Sequence, residues 1–168
     1  MDIILPPEEY LNLIDNSSGN STTLIKLVEL SIKYPQLNDY IQNYTYQINA
    51  QNTTGYTALT VACKNKNLPA ATRLLQNGAD INILDNEGRS VLMWASRTCS
   101  EEIMKIILEH DANINLQDKH SVTPLLLYCF RKESTKSAVK LLLDKGANVN
   151  HQDSFGFSAL MLVIKQCN

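Results

Sequence analysis

The sequence is poor in residues that carry chemistry, with three histidines, four cysteines and one tryptophan among 168 residues. The cysteines form no Cys-x-x-Cys pair, and His110, His120 and His151 stand at no metal-ligand spacing from them, so neither a zinc site nor a cofactor is expected. No glycine-rich phosphate loop, Gly-x-Ser-x-Gly elbow or His-Glu-x-x-His sequence occurs, which argues against an enzyme. Glu101-Glu102 reads as a pair of acids favouring a helix start rather than as acid–base machinery. Charge is also sparse. Charged residues make up 19% of the chain, the formal net charge is −2, and no basic stripe offers the footprint of nucleic acid binding. No apolar run approaches membrane-spanning length, and Pro6-Pro7-Glu8-Glu9 follows the first five residues in place of a signal peptide's apolar core. A soluble intracellular protein, cytoplasmic and without membrane contact, is expected.

What the sequence does hold is a repeat. Thr57, Ser90 and Thr123 stand 33 residues apart, Ser158 follows 35 after the last, and each opens a short apolar run. Asn52, Asp85, Asp118 and Asp153 keep the same register, as do Gly55, Gly88 and Gly156, with Ser121 at the position of the missing glycine. Further along come Leu74-Leu75, Ile107-Leu108 and Leu142-Leu143. Gly78-Ala79-Asp80, Asp111-Ala112-Asn113 and Gly146-Ala147-Asn148 follow, and each unit closes on Ile-Asn or Val-Asn at 81-82, 114-115 and 149-150. Each position has a physical role. The hydroxyl accepts from the free amides of a helix's first turn, the glycines supply left-handed backbone at turns and helix ends, and the paired apolar residues bury a second helix. A period near 33 residues predicts stacked two-helix units, whose usual product is a binding surface.

Together these residues resemble the ankyrin-repeat family. Thr123-Pro124-Leu125 opens like that family's signature, and 141–150, Leu-Leu-Leu-Asp-Lys-Gly-Ala-Asn-Val-Asn, follows its second-helix ending. The resemblance covers about residues 48 to 168 and implies an all-α ankyrin-repeat solenoid of helix-turn-helix units with short β-turn or hairpin tips. Repeats are expected at about 52–84, 85–117 and 118–152, with a half repeat at 153–168 behind a divergent helical N-terminal cap, 1–47. In that cap Tyr10 to Asp15 and Thr23 to Lys33 read as helices, 16–20 as a loop, and Leu37 to Tyr44 as a helix or an irregular link. The signature histidine is replaced by Thr60, Met93, Leu126 and Met161. Ser121 and Asp111 stand at left-handed sites, and two extra residues fall within Arg131 to Ser137, so the second and third units are expected to meet at the softest seam. The abundance of Asn, Ile and Lys, together with the degenerate repeats, resembles ankyrin proteins encoded by large DNA viruses, with protists as an alternative source.

The resemblance implies a non-enzymatic protein–protein interaction module, an adaptor that meets another protein, and not nucleic acid, on a concave face of turn tips and first helices. The alternative is a structural scaffold arm or a truncated repeat-array fragment. Carried over position by position, the candidate partner-binding residues are Tyr56, Asn86, Arg89, Lys119, His120, Arg131, Phe155 and Phe157, with Lys64, Arg97, Phe130 and Lys165 on the same face. Phe155 and Phe157 are either anchors for a partner or a cover for the last helix, and Trp94 reads as packing. A monomer is expected, with association through the unfinished C-terminal end as a second possibility. Asn82, Asn115 and Asn150 resemble positions hydroxylated in some ankyrin repeats, or else satisfy turn backbone groups.

Overall fold

The computed structural model describes residues 23–131 and 135–166. The expected helix at 10–15, the loop at 16–20, Cys167 and residues 132–134 of the third-repeat insertion lie outside them. The chain divides into two compact units, Met1–Asp80 and Ile81–Asn168.

In the first unit α1 (Thr23–Ser31) is followed by a 3₁₀ helix (Pro35–Gln47), α2 (Ala58–Lys64) and α3 (Leu68–Gln76). Leu24, Leu27 and Val28 bury one stripe of α1 as their spacing requires, but the helix stops at Ser31 and leaves Ile32 exposed. The segment Leu37 to Tyr44 is helical in the tighter 3₁₀ form, with Leu37, Ile41 and Tyr44 buried. α1 packs on α2 and the 3₁₀ helix on α3, so the cap presents a helix pair to the first clear repeat. The Gln47 side chain holds the start of α1 by accepting from the Leu24 amide at 3.2 Å, and Arg73 of α3 pairs with Asp39.

The second unit holds α4 (Val91–Thr98), α5 (Glu101–Leu108), α6 (Pro124–Cys129), α7 (Lys136–Asp144) and α8 (Ala159–Gln166). The first helices α4, α6 and α8 pack in sequence, while α5 and α7, the second helices, pack on each other and on their own partners. Leu92, Met93, Ile103, Met104, Ile107, Leu125, Leu126, Tyr128 and Leu142 fill the space between. Among the described residues there is no strand, and an isolated antiparallel bridge, Gln152 with Ser158, closes the last tip. The architecture is all-α, with ankyrin-type helix pairs.

The four hydroxyls cap as their register demands. Thr57, Ser90, Thr123 and Ser158 accept from the amides of Thr60, Met93, Leu126 and Met161 at 3.1, 3.3, 3.3 and 3.4 Å, each a contribution of about 1 kcal/mol. Asp111 and Ser121 are left-handed, with φ of 56° and 57°. Lys66 and Cys99 are left-handed as well, nine residues after Thr57 and Ser90, in the turn between the helices. No glycine marks those turns, so the sequence gives no sign of them. Gly88 is required twice over. Its φ is 78°, and a Cβ there would stand 3.3 Å from the Asp118 Cα.

Candidate partner-binding surface

Every repeat tip is folded around the carboxylate or amide at its head. Asn52 Oδ1 accepts from the amides of Thr54 and Tyr56 at 3.0 and 2.9 Å, and Asp85 Oδ1 from Glu87 and Arg89 at 2.8 and 3.0 Å. Asp118 Oδ1 does the same for His120 and Val122 at 2.9 and 3.0 Å, and Asp153 Oδ1 for Phe155 and Phe157, both at 2.9 Å. This Asx turn satisfies the tip's amides internally and leaves its middle residues exposed: Thr53 and Thr54, Asn86 and Glu87, Lys119 and His120, Ser154 and Phe155. In the second unit adjacent tips are also joined. The Lys119 amide donates to the Glu87 carbonyl at 3.1 Å, and the Ser154 amide to the His120 carbonyl at 3.0 Å.

The candidate residues fall into different situations. Asn86, Lys119, His120 and Phe155 are exposed on the tips. Phe155 leaves 76% of its surface in solvent, and Lys119 Nζ lies 3.5 Å from Glu87 Oε1. Arg131 is exposed just past α6. Tyr56 is half-buried, with Lys64 Nζ 4.8 Å from its ring centre, and Phe157 is half-buried beneath Lys165 Nζ at 5.3 Å. Arg89 is engaged within its own repeat. Its Nε donates to Asp85 Oδ2 at 3.0 Å and its guanidinium carbon lies 4.7 Å from the Trp94 ring centre. Trp94 is buried, donates from Nε1 to the same Asp85 Oδ2 at 3.1 Å, and carries Arg97 at 5.8 Å from its ring centre.

Two further sets of contacts run between repeats, the first of them a form of the backbone-satisfying role open to Asn82 and Asn115. Asparagines closing one repeat clasp the loop that ends the second helix of the next. Asn49 Oδ1 accepts from the Asp80 amide at 2.8 Å, Asn82 Oδ1 from Asn113 at 3.1 Å and Asn115 Oδ1 from Asn148 at 2.9 Å. With His151 Nε2 donating to the Ser121 carbonyl at 2.6 Å, they link neighbouring repeats. Glu101, in the first turn of α5, accepts from Ser137 Oγ at 2.9 and 3.0 Å and from Thr135 Oγ1, and these hydroxyls hold its carboxyl below the usual carboxylate range. Its role thus exceeds that of a helix-start acid: it ties α5 to the start of α7.

Cys63 and Cys129 are packing residues. Burial pushes the Cys63 thiol up to about 12 and raises Cys129 in the same direction. Among the described residues no group of three or more His, Cys, Asp or Glu is placed to hold a metal ion, and no helix is long and apolar enough to cross a membrane. An apolar groove of about 240 Å³ opens between α6, α7 and α8, lined by Leu125, Cys129, Val139, Leu143, Leu160 and Val163.

Comparison with known proteins agrees with this geometry. The family described as ankyrin repeats (3 copies) matches residues 17–118, and that described as ankyrin repeat matches 121–154. The first match runs through the segment before residue 48, whose pattern shows no repeat register. The chain is similar to neurogenic locus notch homolog protein 1 of Mus musculus, 34% identical over 92 residues, which is 54% of this chain and 4% of that protein. The Homo sapiens protein of that name is 33% identical over the same length. The nuclear factor NF-kappa-B p105 subunit of Gallus gallus is 26% identical over 119 residues, 69% of this chain and 12% of that protein. The chain therefore spans a small part of the length of these relatives.

Proposed function

Because this chain belongs to the ankyrin-repeat family, we propose that it is a non-enzymatic adaptor that holds a partner protein against its tips and first helices. Ankyrin repeats mediate protein–protein interaction. The observation that carries the reading for this chain is the repeated Asx turn, which satisfies the tip backbone from within and presents side chains such as Phe155, Lys119 and Asn86 to solvent. Rigid tips lose little freedom on binding, so contacts made there convert more fully into affinity. In this reading the protein acts as a monomer in the cytoplasm and takes a protein rather than nucleic acid. The Asn- and Ile-rich composition supports a large DNA virus as its source, which makes that cytoplasm a host cell's.

Affinity capture with mass spectrometry from cells expressing the tagged protein tests the reading. A specific partner should be recovered with the wild-type chain and lost with the combined variant Tyr56→Ala, Lys119→Ala, Phe155→Ala and Phe157→Ala, whose circular dichroism melt should stay close to wild type. Arg89 is left intact because it supports the buried Trp94. Undiminished capture by the folded variant would remove the proposed surface.

A further inference from the structure

Resting on the interaction reading above, we propose that the exposed ends of α4, α6 and α8 recognise an extended acidic segment of a partner protein, with an apolar side chain between its carboxylates. Arg97, Phe130 and Lys165 occupy one register, seven residues after Ser90, Thr123 and Ser158, and all three are exposed. Since α4 packs on α6 and α6 on α8, the register sets them side by side in the order cation, aromatic, cation, with Arg131 beside Phe130. Phe130 leaves 65% of its surface in solvent.

The two outer cations are already positioned. Arg97 lies 5.8 Å from the ring centre of Trp94, which is itself buried and bonded to Asp85, and Lys165 Nζ lies 5.3 Å from the ring centre of Phe157. Charges held against aromatic rings have less side-chain freedom to lose when a carboxylate arrives. Among the described residues, the exposed acids of this unit lie elsewhere. Glu102 is on α5, Glu109 and Asp111 follow that helix, Asp144 ends α7, and Glu87 at its tip pairs with Lys119. Arg97, Arg131 and Lys165 thus give this face a local positive charge in a chain of formal net charge −2.

The spacing sets the shape of the ligand. Packed helices lie about 8–10 Å apart, so Arg97 and Lys165 are separated by roughly 20 Å. An extended chain rises about 3.3 Å per residue and alternates its faces, so the row fits two carboxylates about six residues apart on one face, with the apolar residue two or four positions after the first on that same face. Opposite charges across such a row steer approach and fix register, while the aromatic supplies the desolvated centre.

Selection of a phage-displayed library of random dodecapeptides on the full chain tests this. Peptides with an apolar residue flanked by Glu or Asp should be enriched. Their affinity should fall about tenfold or more with Arg97→Glu combined with Lys165→Glu, and again with Phe130→Ser. Exchanging the peptide's acids for Lys should restore binding to the charge-reversed protein. Because Arg97 lies against the buried Trp94, Lys165→Glu alone, together with a salt titration of the wild type, gives a reading that does not depend on Arg97. Enrichment of neutral or basic peptides overturns the acidic preference but leaves the adaptor reading standing if they are still lost with Phe130→Ser. Enriched peptides indifferent to every one of these variants overturn this row; if they are lost instead with the combined variant of Tyr56, Lys119, Phe155 and Phe157, the adaptor reading stands without it. No enrichment, or equal competition by a single-stranded oligothymidylate, overturns the proposal.

Discussion

Asp85 closes its turn with one oxygen and with the other receives both Arg89 Nε and Trp94 Nε1, while its side chain has no exposed surface. Removing an acceptor buried beneath three kinds of donor leaves an indole N–H and a guanidinium without it, a loss that costs more than the bond alone. Asp85→Ala should therefore lower stability by about 3 kcal/mol by urea denaturation. Asp153→Ala, whose carboxylate serves only its own tip in the bonds seen here, should cost about 1 kcal/mol. The sequence reveals the turn at Asp85, because the same acid recurs at fixed spacing. It does not reveal the second task, because Trp94 appears once and its partner is set by tertiary packing. Thiol reactivity separates the residues again. With its thiol raised to about 12 by burial, Cys63 should resist iodoacetamide at pH 8 in the native protein, while half-buried Cys99 is modified well before it. Comparable native labelling of Cys63, read by peptide mass mapping, would contradict the packing shown here.

Among the elements, the helix starts were legible and the contacts between second helices were not. A capping hydroxyl acts within four residues, so its sequence spacing is enough to place it, as Thr57, Ser90, Thr123 and Ser158 show. Glu101 reaches a helix more than thirty residues away, and nothing local marks the choice. The hydroxyls of Thr135 and Ser137 favour its ionised form and lower its pKa from the ordinary 4.5, so the folded state binds this proton less readily than the unfolded chain. The stabilisation is therefore complete above pH 4.5 and is lost as the pH falls through the lowered folded value. Glu101→Gln should melt slightly below wild type at neutral pH, and the difference should close at lower pH. The site is largely exposed, so the effect is small, and a constant offset across the titration would assign it to packing instead. The left-handed turns allow a second check at this scale. Ser121→Gly should raise stability by about 1 kcal/mol, since φ is 57° there and glycine carries no penalty in that region. Substitution at Gly88 should do the reverse, because backbone of the next tip fills the space a side chain would need.

At the scale of the molecule, stability in the second unit follows from how many neighbours each first helix has. α4 packs on α5 and α6, and its residues 91–96 are all buried. α8 packs on α6 alone among the strongly contacting pairs, and Leu162 is the only buried residue in 159–165. Leu160 leaves 68% of its surface exposed, and Met161, Val163 and Ile164 are exposed with it. The left-handed Asp111 and Ser121 had marked the junction of the second and third repeats as the softest place. That same stretch carries the Asn113 amide bonded to Asn82 and the Lys119 amide bonded to the Glu87 carbonyl, contacts that depend on where neighbouring loops lie and that no residue spacing discloses. In a stack of repeats each unit is stabilised chiefly by its nearest neighbours, so the helix with one neighbour opens first. Hydrogen exchange of the 168-residue chain should therefore find α8 amides the least protected of the second unit, α4 amides the most, and residues 111–121 between them. Protection of α8 equal to that of α4 would mean that its apolar face is covered. If that protection rose with protein concentration, the cover would be a second copy of the chain; if it did not, the ranking by neighbours would be wrong.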